Sequence, residues 1–455
     1  MPSGTSSAPP VRRSVAAVAF VVAVVASLTA LQAPAPVGSA PRAPGADGID
    51  DTVHLNEVQV VGSHNSYHLV APKAESDLRR QFVGAEEDKL QYSHVPLDQQ
   101  FAHQKVRQIE LDVFNDAKGG RYATPLIRAA TNGGPYDPAM RRPGIKVLHI
   151  QDVDYHSNCL SLIACLTTVK AWSDANPSHL PLAILVELKD TPVDIGGFDF
   201  VIPEPFDTAA LDALDAEIRS VFPEDRTITP DDIRGSHGTL EEAVLSDGWP
   251  TLAESRGKVL FLMDNGGLYR DRYRQGHPSL EGRPIFTNSA PGQPDAAFVK
   301  MNEPIGKEAA IAALVSDGYL VRTRADADTQ QARSGDTTMR DAAFRSGAQW
   351  VSSDYPVPEY ARPFGTNYVV QVPGGTVARC NPVNAPAECR DAPLDTIYTP
   401  APAPPPTVAP PTSPPPPPPP APSPPAPVAP GPTPPAAVPP AGPARPVAGV
   451  ADFTG

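Results

Sequence analysis

Between about His54 and Tyr355 the sequence alternates short apolar runs with helix-like segments, and no other feature limits the possible folds as sharply. The runs are EVQVV, RQIELDVF, IKVLHI, LAILVELK, KVLFLMD, AAFVKMN, YLVRTR and AQWVSSDY. Between them lie CLTTVKAWSDA, DTAALDALDAEIRSVF, KEAAIAALVSDG and TTMRDAAFRSG, several of which begin near Asp or Thr and end in Gly, as helix caps require. Eight such strand–helix repeats predict an α/β fold of the (β/α)8 TIM-type barrel. The competing architecture, a doubly wound open sheet, places a glycine-rich phosphate loop after its first strand, and none follows EVQVV.

The two ends of the 455-residue chain lie outside this pattern. Arg12 and Arg13 precede an apolar run from about Val15 to Leu31, followed by small residues and prolines. A charged start, an apolar middle and an Ala-rich exit predict a secretory signal within residues 1–40, with an uncleaved membrane anchor as the alternative. From Pro400 to Pro446 about every second residue is proline, and Arg445 is the only charge. Proline lacks the backbone donor and fixes φ, so residues 393–455 are expected to form a disordered, extended tail after a single barrel domain at 50–392. Such a tail suits contact with a cell envelope.

Secretion gives the four cysteines a reading. Cys159 with Cys165 and Cys380 with Cys389 are close pairs, expected to be disulfides. Six helical steps separate two Cα atoms by ~9 Å, beyond disulfide reach, so Cys159 is expected in the loop before the helix that carries Cys165. With 37 basic against 51 acidic residues, a formal charge of −14, the chain is a poor partner for nucleic acid. No polybasic run offers a permanent hold on anionic membranes. A monomer is expected.

Active sites of such barrels collect at the C-terminal ends of the strands, and so do the polar residues here. In RQIELDVF, Ile109, Leu111 and Val113 share one face while Glu110 and Asp112 share the other, because strand side chains alternate. The apolar set faces the helices, which turns both carboxylates inward. Unpaired charges inside a barrel cost several kcal/mol each, and a cation relieves that cost. By the same arithmetic Glu187 and Lys189 share a face in LVELKD, His149 closes the third run, and Arg322 and Arg324 lie two apart on YLVRTR. Directly after EVQVVG comes SHNSY, which brings His64 and Asn65 to the same mouth. Asn65, Glu110, Asp112 and Glu187 form an all-oxygen set from three strand ends, the donor type of a hard cation, calcium before magnesium. Zinc would ask for histidine or thiolate first. The acidic stretches at Asp152–Asp154 and Asp326–Asp328 lack the calcium-loop pattern and are read as loop acids.

Taken in order, SHNSY, RQIELDVF, KVLHI, LVELKD, VRTRADADT, SGAQWVSSDYP and CNPVNAPAEC resemble the calcium-dependent, phosphatidylinositol-specific phospholipase C enzymes in their secreted bacterial form. The resemblance covers about His54 to Cys389. It implies that His64 and His149 are catalytic and that Asn65, Glu110, Asp112 and Glu187 bind Ca2+; each position carries the expected residue type. Lys189, Lys300, Arg322, Arg324 and Tyr355 are assigned to phosphate and inositol by location alone.

The implied reaction is cleavage of phosphatidylinositol at a membrane surface, giving diacylglycerol and a cyclic inositol phosphate. Calcium acidifies the inositol 2-hydroxyl and offsets charge at phosphorus, with Glu110 or Glu187 as base. His149 protonates the departing diacylglycerol oxygen and His64 donates to the phosphoryl oxygens, two roles that could be exchanged. Two alternatives stand beside this reading. A glycerophosphodiester phosphodiesterase uses a related barrel but typically places Arg after its first His, where this chain has Asn65. A non-enzymatic envelope barrel predicts an eroded site, and the site residues are all in place.

Overall fold

The computed structural model describes residues 48–193 and 198–401. The proposed signal and the proline-rich run beyond Ala401 lie outside the described residues. One sheet contains β1 Val58–Ser63, β2 Val106–Phe114, β3 Lys146–Val147, β4 Leu182–Leu188, β5 Val259–Met263, β6 Ile285–Phe286, β7 Phe298–Lys300, β8 Leu320–Arg324, β9 Trp350–Ser353 and β10 Ala378–Cys380. The path β6-β5-β4-β2-β1-β9-β8-β7 is parallel throughout. A parallel bridge between Asn288, just past β6, and Phe298 of β7 joins the two edges. The result is a nearly closed eight-stranded parallel barrel with helices between its strands, the expected fold.

Two strand assignments differ from the sequence reading. IKVLHI does not supply a barrel strand: β3 pairs antiparallel with Val113 and Phe114 at the end of β2, outside the ring. Its place among the eight falls to β6. That strand pairs only Ile285 and Phe286 with Phe261 and Leu262 of β5, too few residues to show as an apolar run.

The local chemistry of the barrel explains its order. Ile109, Leu111 and Val113 of β2 are fully buried in one core with Leu162, Leu166 and Val169 of the helix Leu162–Ala175. Gly62 in β1 has no room for a side chain, because a Cβ there would lie 1.8 Å from Oε1 of Gln108, its partner on β2. Both expected disulfides are present, and Cys159 lies before the helix that carries Cys165, with Ser161 capping its start. Among the described residues no helix is long and apolar enough to cross a membrane.

The barrel's contacts do not stop at residue 392. Leu394 is fully buried, Asp395 pairs with Arg107 in β2 (Oδ2 to Nε, 2.7 Å), and the Thr399 N–H donates to the Ala102 carbonyl. A carboxylate that neutralises a fully buried guanidinium belongs to the fold, so the boundary placed at 393 moves towards the proline run itself.

Candidate active site

The chain turns at once when β1 ends at Ser63. Asn65 has φ 41°, a left-handed conformation that asparagine tolerates better than most residues. The turn is pinned from both neighbouring strands. The His64 N–H donates to the Ser353 carbonyl of β9 (3.2 Å), and the Ser66 N–H donates to the Glu110 carbonyl of β2 (3.0 Å). Ser66 Oγ in turn accepts from the Glu110 N–H (2.8 Å). The Asn65 amide donates through Nδ2 to the Tyr92 hydroxyl (2.9 Å), which leaves Oδ1 buried with no hydrogen-bond partner.

Asp112 and Glu187 stand opposite each other across the β2–β4 ladder. One oxygen from each of Glu110, Asp112 and Glu187 lies within 4.8 Å of the others. Glu110 Oε1, both Asp112 oxygens and Glu187 Oε2 join Asn65 Oδ1 as buried acceptors without a hydrogen-bond partner. Buried acceptors are almost always satisfied, so a cluster of orphans aimed together marks a place for a cation. An oxygen-only donor set of carboxylates and an amide fits calcium.

The basic residues assigned to substrate sit largely on these acids. Arg322, fully buried, binds Glu110 Oε2 and reaches Ser352 Oγ at 3.1 Å. Lys189 lies 3.2 Å from Asp112 and 2.7 Å from Glu187. Lys300 pairs with Asp264, just past β5, whose other oxygen is unpartnered. Burial pushes Glu110 up to about 7 against the pull of Arg322, and pushes Asp112 up against Lys189. Tyr355 follows Asp354 directly; its ring packs with Phe364 and Tyr368, and its hydroxyl is buried with no hydrogen-bond partner.

The two histidines are built alike. His64 Nδ1 lies 2.9 Å from Asp354 Oδ1, and His149 Nδ1 lies 2.7 Å from Asp154 Oδ2. Asp154 also accepts from His68 Nε2 (2.8 Å) and Arg79 Nη1 (2.7 Å), while Arg324 approaches Asp354 at 3.6 Å. Burial works to raise both aspartates, but their histidine and arginine neighbours outweigh it and hold them below the ordinary carboxylate range. Burial, with Arg324 adding to it, takes His64 down to about 3, and burial lowers His149 as well. His64 Nε2 is buried with no partner.

The stretches read as loop acids contribute buried, hydrogen-bonded carboxylates. Asp152 and Asp154 are buried, and so is Asp326, which binds Ser353 Oγ and accepts the Asp354 N–H (3.1 Å). Asp354, Asp154, His68, Tyr92 and Asp264 were missed as site residues. The available signals were an acid five residues after His149 and an acid ending each of KVLFLMD and AQWVSSD.

The family described as phosphoinositide phospholipase C, Ca2+-dependent, matches residues 53–382. Among solved structures, the chain is similar to a calcium-dependent phosphoinositol-specific phospholipase C from Pseudomonas sp, at 16% identity over 74% of this chain and 98% of that one, with a TM-score of 0.46. It is also similar to a Ca2+-dependent phosphatidylinositol-specific phospholipase C from Streptomyces antibioticus, at 18% identity over 69% and 97% of the two chains, with a TM-score of 0.41. No curated protein matches the sequence. The family match takes in the turn after β1, the acid cluster and both aspartate-held histidines, and the chain belongs to the calcium-dependent phosphoinositide phospholipase C family.

Proposed function

We propose that the protein cleaves phosphatidylinositol at a membrane surface, giving diacylglycerol and a cyclic inositol phosphate. One observation carries the assignment of roles: an oxygen-only cation site stands among two histidines, each held through Nδ1 by its own buried aspartate. Asn65, Glu110, Asp112 and Glu187 hold the calcium ion. When bound, that ion supplies the positive charge that acidifies the inositol 2-hydroxyl and offsets charge growing at phosphorus.

His64 takes the hydroxyl proton on its free Nε2, and Asp354 stabilises the imidazolium that results. This moves the base away from Glu110. Arg322 occupies one oxygen of that carboxylate and the other faces the cation site, so neither is free to meet the hydroxyl. The hydroxyl oxygen bonds to the adjacent phosphorus, and the bond to the diacylglycerol oxygen breaks as His149, oriented by Asp154, gives up its proton. Arg324, buried beside Asp354 with Nε unpartnered, is the basic residue left to meet phosphate. Lys189 and Lys300 set the charge of the acid cluster.

Val70, Phe82, Phe198, Ile202, Leu268 and Ile305 are exposed, and all follow barrel strands β1, β4, β5 or β7, at the end where the site opens. A rim of apolar side chains there supports contact with lipid. Two disulfides fit an oxidising compartment, in keeping with secretion by the N-terminal segment and envelope contact through the proline run.

Release of cyclic inositol phosphate from phosphatidylinositol vesicles, with and without chelator, tests the reading. Release that ignores the chelator, or products from glycerophosphocholine alone, would overturn it. Calcium should also stabilise the fold: for a ~10 µM site in ~1 mM calcium the linkage is about 2.7 kcal/mol, a rise of several degrees in melting temperature that chelator removes. Asp112→Asn should weaken calcium binding more than Asn65→Ala, because it takes a charge from a doubly charged ligand's site. Calorimetric titration of both variants checks that order.

A further inference from the structure

The DVD stretch does two jobs with alternate residues. Asp154 holds His149 and His68. Asp152, at φ 67°, accepts the Leu126 N–H on Oδ1 (3.0 Å) and the Val201 N–H on Oδ2 (2.6 Å), and its carbonyl accepts the Ile127 N–H (3.1 Å). One residue therefore ties the short helix Leu126–Ala130 to the segment around Phe198 and Phe200. Together with the helix Lys73–Val83 and with Val153, these line a narrow, half-open cleft of about 60 Å³ that exposes no polar atom. Arg79 is the one charged residue on its lining. Its guanidinium is committed to Glu87 (2.8 Å), Asp154 (2.7 Å) and the Val153 carbonyl (2.7 Å), so its methylene stem is what faces the cleft.

We infer that this cleft holds one aliphatic chain of the lipid being cut, an acyl chain of the diacylglycerol leaving group. The inference rests on the headgroup chemistry proposed above and adds a second subsite to it. Walls without exposed polar atoms suit an alkyl chain and offer nothing to a peptide backbone or a charged ligand, whose polar groups would go unsatisfied. The cleft is continuous with the apolar rim: Phe82 and Phe198, exposed at its edge, meet edge-to-face at 4.9 Å. It is also continuous with the chemistry. Val153 lines the cleft and the next residue, Asp154, holds the histidine that protonates the diacylglycerol oxygen. A chain seated there carries that oxygen towards His149.

The test uses monomeric lysophosphatidylinositol analogues with one chain of increasing length, kept below their critical micelle concentrations with no vesicle present. The expected result is a rise in kcat/KM of about fourfold per methylene, the ratio that ~0.8 kcal/mol per buried CH2 gives, levelling off once the cleft is full. In Ala130→Trp, which puts a ring into the cleft, the ratio of long-chain to short-chain kcat/KM should fall towards one. If that variant does not fold, the wild-type series decides alone. No dependence on chain length, or a dependence seen only on vesicles, overturns the cleft and leaves the rim as the sole lipid contact. A dimer in sedimentation that Ala130→Trp breaks also overturns it, by giving the cleft to a second copy. Calorimetry with 1-decanoylglycerol, which has no headgroup to cut, separates this inference from the catalytic reading. Binding that Ala130→Trp abolishes supports the cleft even where no phosphodiester is cleaved, and absence of binding in the wild type sinks it.

Discussion

His149→Ala lowers turnover of phosphatidylinositol by about 10²–10⁴-fold, the range for loss of a positioned acid or base, and a nitrophenol leaving group restores part of it. The expectation comes from how the ring is held. With Nδ1 bound to Asp154 at 2.7 Å, only Nε2 is left to face a substrate, and the ionised aspartate offsets part of the burial that lowers the ring's pKa. An alkoxide leaving group needs the ring's proton; a nitrophenolate needs little help. His64→Ala is expected to lose a similar factor but to gain little from the better leaving group, because its proton transfer concerns the attacking hydroxyl. Calcium binding survives in both variants, since neither imidazole belongs to the oxygen set. Rescue of His64→Ala instead would exchange the two roles. Near-normal turnover in both variants would remove the histidines from the mechanism.

Ending the chain after residue 392 destabilises the barrel by about 3–5 kcal/mol, whereas ending it after residue 401 leaves the melting temperature where it was. Arg107 is fully buried in β2 and meets Asp395 through both carboxylate oxygens, at 2.7 and 3.2 Å. Its remaining donors reach the carbonyls of Phe101, Val106 and Ile397. Removing residues 393–401 takes away the only carboxylate in that set and uncovers the site of Leu394, so a buried cation loses its counter-charge. Equal melting of the two truncations would mean that water replaces Asp395 without penalty.

What the sequence displayed and what it hid divide along physical lines. The alternation in RQIELDVF placed Glu110 and Asp112 on one face. The parallel register then set Asp112 beside Glu187, so the acid cluster was legible from strand periodicity alone. The turn residue Asn65 was legible because SHNSY follows directly on the apolar run that forms β1. The partners were not. Asp354 lies 290 residues from His64, and nothing local marks it as that ring's anchor rather than another strand-end acid. Nor does a lysine two residues after a glutamate say whether it will meet substrate or neutralise its neighbour, as Lys189 does. A two-residue strand such as β6 carries no periodicity at all, and the apolar run around β3 is buried for the sake of a side pairing on β2.

The single bridge between Asn288 and Phe298 that closes the ring leaves its rigidity unevenly distributed. Elsewhere neighbouring strands share two or more paired positions, and the longest ladder lies between β2 and β4. Backbone amides along the β6–β7 seam are therefore the ones that local opening exposes to solvent exchange at the least free energy. The cation ligands belong to β2, β4 and the turn after β1, away from that seam, so the cylinder can breathe on one side while the metal-holding arc keeps its shape.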